Sequence, residues 1–394
     1  MRTRSPDDAI SVSRRTVLTV IPLSLAGCVV TACSGVSDRA RKSEDSTAAN
    51  ATETSIAAAA VSRWRMPAEE ATHERTWMCW PSSTEVWGDD LSGVQDTIAA
   101  LALAIAEFEP VSMLARPEEV DALADLVGDS VEIVEAPVDD LWARDTLPNF
   151  VVRSGQLAAA HATFNGWGDK QIHDGDRQLA GVVAAHLGIE LLDSGLVGEG
   201  GGIEIDGTGT VLAAQSCWVN DNRNPGMDRD RIEAAILEMV GADRMIWIDG
   251  LAGADITDGH IDTLARFADP TTIVVDRPAF DDPDDPWVAV ATRTRQLMTE
   301  ATTADGRPYT IVEIVQPTTT RQTGESFLST YMNYYVCNGA VIAAEFGDAD
   351  SDEAARAVLA QLFPDREIVM LNIDALAAGG GGIHCATQQQ PRVD

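Results

Sequence analysis

Apolar residues recur at three- and four-residue spacing over six stretches: Val94–Phe108, Pro117–Val127, Asp176–Leu187, Arg229–Val240, Trp287–Thr299 and Asp352–Phe363. That period gathers them on one helical face, so each stretch predicts an amphipathic helix packed on a core. Between them lie short apolar runs at Val111–Leu114, Val131–Val134, Phe150–Val152, Thr210–Ala213, Arg244–Ile248, Thr272–Val275, Thr310–Ile314, Tyr334–Cys337 and Ala340–Ala344. Many end in Gly, Asn or Asp, which predicts strands closed by turns. At Asn338-Gly339 the pattern predicts a two-residue hairpin turn built on positive φ. Strands and helices alternate only loosely. The expected class is therefore mixed α/β rather than the one-for-one series of a nucleotide-binding sheet.

The N-terminus follows a different pattern. Ser13-Arg14-Arg15-Thr16-Val17-Leu18 precedes an apolar run to Val30 that Pro22 and Gly27 interrupt. A charged segment before a short apolar one reads as a twin-arginine export signal, too short for a comfortable membrane span. Val30-Thr31-Ala32-Cys33 resembles a lipobox, with Cys33 as the acylated residue; Leu25-Ala26-Gly27-Cys28 is the alternative. Cys33 is preferred because polar Ser34-Gly35 follows it. From Ser34 onward the chain is rich in Ser, Thr, Ala, Asp and Glu without a period, as in a flexible tether. The expected organisation is a leader over 1–33, a tether over 34–64 and one catalytic domain over 65–394. The expected location is the outer face of the cytoplasmic membrane, held by lipid.

Composition narrows the partners. The 394 residues carry a formal charge of −34, and Lys42 and Lys170 are the two lysines. Such a surface repels nucleic acid and anionic lipid, whose recognition needs clustered basic groups, and it attracts small cations. Acidic residues are spread along the whole chain, so most of this charge fits adaptation to salt as well. The six cysteines (Cys28, Cys33, Cys79, Cys217, Cys337 and Cys385) show no paired spacing. Zinc and a disulfide framework are not expected. His161, His173 and His186 share no ligand spacing either.

Four clusters carry chemistry. Gly379-Gly380-Gly381-Gly382 leads into Ile383-His384-Cys385. A cysteine presented after a glycine run is a candidate nucleophile, and the bland alternative is a flexible tail with a buried thiol. A thiol needs an acid–base partner. His384 is adjacent and, on an extended chain, points away. His260, with Asp262 two residues on, is the better candidate. Asp145 in Trp142-Ala143-Arg144-Asp145 and Glu199 before Gly200-Gly201-Gly202 add carboxylates. Carboxylates around a thiol oppose its ionisation, so they make sense if the substrate is a cation. A guanidinium offers the planar fork of donors that two carboxylates grip. Cys79, Cys217 and Cys337 read as core thiols, and Arg223 and Asn224 as turn and packing residues.

Together, "MPAEEATHERTWMCWP" (Met66–Pro81), "WARDT" (Trp142–Thr146), "EGGGIEIDG" (Glu199–Gly207), "NDNRNPGMDRDRIE" (Asn220–Glu233), "TDGHID" and "GGGGIHCATQQQP" resemble the agmatine deiminase and bacterial-type peptidylarginine deiminase family, from about Met66 to Pro391. The resemblance implies a five-bladed α/β propeller of ββαβ modules. It implies Cys385 as nucleophile and His260 as general acid–base, with Asp145, Glu199 and Asp262 holding the guanidinium and Trp142 lining its channel. The implied reaction is hydrolysis of a guanidino compound through a thiouronium on Cys385: agmatine to N-carbamoylputrescine and ammonia, a step toward putrescine. No metal or organic cofactor is implied. The partner is then a small cationic guanidino compound, and self-association stays open. The chain departs from the family pattern at Ile256 (usually Glu), Glu204 (usually His), Asp258 (usually Asn) and Gly382 (usually Asn). A peptidyl- or free-arginine deiminase yielding citrulline is the nearest rival. A non-catalytic polyamine-binding lipoprotein is a more distant one.

Overall fold

The computed structural model describes residues 63–324 and 326–393; the leader, both lipobox cysteines and nearly all of the tether lie outside them. The described chain forms sixteen strands in five small sheets. Four sheets share one plan: an antiparallel strand pair, a helix, then a third strand parallel to the second. Their strands are β4 (Asn149–Arg153), β5 (Gln156–Thr163) and β6 (Glu190–Val197); β7 (Ile203–Ile205), β8 (Thr210–Ala214) and β9 (Arg244–Ile248); β10 (Ala265–Asp269), β11 (Thr272–Arg277) and β12 (Thr310–Val315); and β13 (Tyr335–Cys337), β14 (Ala340–Glu345) and β15 (Glu367–Asn372). The remaining sheet joins the first and last strands of the described residues. β16 (Gln388–Pro391) lies antiparallel to β1 (His73–Cys79), followed by parallel β2 (Val111–Ala115) and β3 (Val131–Glu135).

Six long helices lie where the apolar period places them. They are α1 (Leu91–Ala106), α2 (Val120–Val127), α3 (Leu179–Leu187), α4 (Arg229–Val240), α5 (Pro286–Glu300) and α6 (Ala349–Leu362). In α1 the spacing buries Val94, Ile98, Leu101 and Ile105 completely. Each such aliphatic side chain contributes about 1.5–3 kcal/mol. α4 begins on Asp228, whose carboxylate accepts from Arg231 N at 2.9 Å, and ends at left-handed Gly241. Cys79, Cys217 and Cys337 are buried in the apolar core.

The hairpin sits where Asn338-Gly339 predicts it, with Cys337 opposite Ala340. Its mechanism differs from the expected one. Gly339 alone takes positive φ (80°), and Asn338 does not. Asn338 works through its side chain, accepting from His73 N at 3.0 Å and donating to His73 O at 2.9 Å. It braces β13 to β1.

Candidate active site

The site residues come from a repeated place: the short segment just before the first strand of a sheet. Asp145 sits in the helical turn Ala143–Thr146 ahead of β4. Glu199 precedes the tight turn Gly200–Gly202 that leads into β7. His260 and Asp262 flank the start of a similar turn, Ile261–Thr263, ahead of β10. They occupy this turn rather than one face of a strand. Cys385 lies in a turn tied by Ala386 N to Gly382 O at 3.2 Å, just ahead of β16. β16 is held on one side by β1 and through its own buried Gln388, whose amide donates to Pro148 O at 2.6 Å.

These segments bring all the expected residues together. Cys385 Sγ lies 3.5 Å from Asp262 Oδ2. His260 Nε2 is 3.3 Å from Glu199 Oε2, and its Nδ1 is 3.8 Å from Asp145 Oδ1. All five side chains are buried. Trp142 is buried too, its ring against Gly381, where a Cβ would come within 2.2 Å of it. Gly201 is similarly required by space: a Cβ there would lie 2.6 Å from His260 Nδ1 and 2.9 Å from Asp145 Oδ1.

Electrostatics follow from burial and crowding. Burial, then Asp262 and Asp145, push the Cys385 thiol well above its ordinary range. Burial opposes charge on His260, but Asp145, Glu199 and Asp262 outweigh it and raise its pKa to about 9. At neutral pH the resting site therefore holds a neutral thiol and an imidazolium. Burial raises Asp145, whereas Glu199 and Asp262 fall below the usual carboxylate range because their cationic partners outweigh burial. Asp262 Oδ1 is buried and makes no hydrogen bond among the described residues, so it is free to accept from a ligand.

Further residues complete the site, and two sequence readings are corrected. Arg223 is not merely a turn residue. It is fully buried and donates Nε to Glu199 at 2.7 Å and a terminal nitrogen to Asp258 at 2.8 Å. Asn224 does hold a loop, with Nδ2 donating to Val197 O and Trp218 O. His384 does not turn away, because the backbone bends there. Its ring bridges Asp262 and Glu69, 2.9 Å from each. Trp167, at φ 56°, donates Nε1 to Asp145 Oδ2 at 2.9 Å. Asn333 donates Nδ2 toward Sγ at 3.2 Å and to Asp262 at 3.1 Å. The available signal for Arg223 and Asn333 was a polar side chain set among residues otherwise suited to turn or core.

A cavity of about 610 Å³ opens beside Trp142 and Gly379, with Asp89, Asp90 and Gln171 on its walls. Cys385 and His260 do not line it. Three of the positions where the chain departs from the pattern it resembles have partners of their own. Glu204 is ion-paired with buried Arg266. Asp258 holds Arg223 and Lys170. Half-buried Ile256 packs on the cluster that contains Trp142, Trp167 and Cys385.

A buried thiol, a raised imidazole and three carboxylates define a thiol-dependent enzyme for a small planar cation. The model of the Porphyromonas-type peptidyl-arginine deiminase family matches residues 65–391. A Streptomyces coelicolor protein provisionally named agmatine deiminase is 41% identical over 340 residues, 84% of this chain and 99% of that one. Agmatine deiminase from Stutzerimonas stutzeri is 37% identical over 355 residues, 83% of this chain and 95% of its own. The solved agmatine deiminase of Enterococcus faecalis superposes with a TM-score of 0.79 at 27% identity, covering 84% of this chain and 96% of that one. The chain belongs to the Porphyromonas-type peptidyl-arginine deiminase family, and it is a hydrolase of guanidino groups that works through a cysteine.

Proposed function

We propose that the chain hydrolyses agmatine to N-carbamoylputrescine and ammonia, with Cys385 as nucleophile and His260 as general acid and base. The observation that carries this is the thiol set 3.5 Å from Asp262, a carboxylate with one oxygen unspent. The guanidinium donates to Asp262, Glu199 and Asp145, and Trp142 walls the approach. Its positive charge offsets the carboxylates that keep the thiol neutral, so Cys385 ionises as substrate binds and releases its proton to solvent, His260 being protonated already. The sulfur attacks the guanidinium carbon. The C–N bond breaks, and ammonia leaves with a proton from His260, which is charged at neutral pH. His260 then takes a proton from water, which attacks the thiouronium carbon. The C–S bond breaks, the hydroxyl proton passes to the departing sulfur to restore the neutral thiol, and the ureido product departs.

The five sheets are read as five blades around this site. Four share one strand plan, the fifth pairs the first described strand with the last, and the pre-strand segments meet through Asp145, Glu199, His260, Asp262, Asn333 and Cys385. Likeness to agmatine deiminase folds supports the same reading. The organisation into leader (1–33), tether (34–64) and catalytic domain (65–394), with twin-arginine export and acylation at Cys33, rests on the sequence pattern.

One observation favours a second substrate. Lys170, the one lysine among the described residues, donates to Ile256 O at 2.9 Å and to Asp258 at 2.8 Å. A cation beside Ile256 suits a guanidino compound whose far end is a carboxylate, free arginine included, better than a terminal amine. Ammonia release measured on agmatine, arginine, peptidyl-arginine and guanidinobutyrate tests both readings. Preference for agmatine supports the first, and preference for the acids supports the second. Turnover of none of the four would overturn both.

A further inference from the structure

Four of the five sheets send a residue already discussed from the segment before their first strand: Asp145, Glu199, the His260–Asp262 pair and Cys385. The corresponding segment of the remaining sheet, ahead of β13, ends Tyr331-Met332-Asn333-Tyr334. Asn333 is buried and surrounds the nucleophile. Its backbone oxygen accepts from His384 N at 3.1 Å. Its side-chain oxygen accepts from Cys385 N at 3.1 Å. Its Nδ2 has two hydrogens and two partners, Sγ at 3.2 Å and Asp262 Oδ2 at 3.1 Å. These partners fix the amide's orientation. With nitrogen and oxygen exchanged, the oxygen would face a carboxylate and the sulfur, and the nitrogen would face an N–H donor.

We propose that Asn333 is a catalytic residue whose carboxamide N–H stabilises negative charge on Cys385 Sγ. On this view Gly382 lacks a side chain because that carboxamide occupies its place. A Cβ on Gly382 would lie 2.6 Å from Asn333 Oδ1 and 2.9 Å from its Cγ. Gly382 does not have positive φ, so space and not backbone conformation demands the glycine. The physical need is clear: Sγ otherwise faces Asp262, and Asp145 adds to the negative field around it. A neutral donor stabilises the thiolate without placing a second cation where a cationic substrate must bind, and it occupies Oδ2 of Asp262 while Oδ1 stays open. The same donor then stabilises the sulfur when the C–S bond breaks.

The proposal rests on Cys385 being the nucleophile, and two readouts separate it from that reading. The first is the rate of Cys385 alkylation by iodoacetamide against pH, which needs no turnover. The second is ammonia release. Asn333→Ala should move the alkylation profile to higher pH, and so should Gly382→Ala, which displaces the amide without removing it. Asn333→Asp should move it further, since an acceptor replaces the donor. In turnover, Asn333→Ala should lose roughly 10- to 100-fold in kcat with KM nearly unchanged. Alkylation profiles that coincide with wild type in folded Asn333→Ala and Gly382→Ala would overturn the role of Asn333. Wild type that alkylates at Cys385 but turns over no guanidino compound would overturn the functional reading alone, with the alkylation profiles still deciding Asn333.

Discussion

At the residue scale, the site works by holding opposite charges at close quarters in a buried place. His260 illustrates the consequence. Its pKa is about 9 in the fold, against about 6.5 in an unfolded chain. A raised value means that its contribution to stability is complete below pH 6.5 and is lost as pH rises through about 9. The imidazolium that the proposed mechanism uses to protonate departing ammonia is lost over the same range. kcat/KM, which reports the free enzyme, should therefore fall above about pH 9, and a pH–rate profile checks this. A descending limb near pH 6.5 would mean that Asp145 and Glu199 do not support the charge. Arg223 is tied to the same group through Glu199. Arg223→Ala leaves Glu199 and Asp258 buried with a lost partner, and should cost about 3–5 kcal/mol in urea denaturation. Arg223→Lys should recover only part of this, because one ammonium cannot span both carboxylates.

At the element scale, glycines decide what can approach what. Gly201→Ala drives a methyl group against His260 and Asp145. It should lower kcat on the order of a hundredfold, as expected for misplacement by about an ångström, with a far smaller change in Tm. Kinetics and thermal unfolding of the same sample separate the two effects. The long helices were legible because burial on one face imposes its period on the sequence: Arg229–Val240 is read from the pattern with its observed bounds. Strands β1, β5, β6, β7, β10, β15 and β16 were not expected. β5 passes through Ala158-Ala159-Ala160, which carries no strand preference. β16 is three glutamines and a proline, buried because Trp77, Pro148 and β1 supply specific partners. Tertiary pairing, invisible in local pattern, makes these strands. The same limit applies at the site. Cys385, His260, Asp145, Glu199 and Asp262 were legible because glycine runs and neighbouring motifs flag them. Asn333 and Arg223 depend on contacts 52 and 24 residues away along the chain.

At the scale of the whole molecule, the last strand of the described residues pairs with the first, so Cys385 is delivered to the site only when β16 docks on β1. Arg14→Lys with Arg15→Lys should leave the enzyme in the cytoplasm, as cell fractionation would show; unchanged export would point to the general secretion route. The strong negative charge gives the molecule a long-range pull on cations, and Asp89 and Asp90 place part of it on the wall of the cavity beside Trp142. The proposed mechanism turns on one event, attack of Cys385 on a guanidinium carbon. The most direct test is ammonia release by Cys385→Ser, on the guanidino compound that the wild type uses best and in protein shown to be folded by near-ultraviolet circular dichroism. A loss on the order of a thousandfold or more is predicted, because serine is not activated in an acid-lined site. Ammonia release at the wild-type rate by the folded variant would contradict the account.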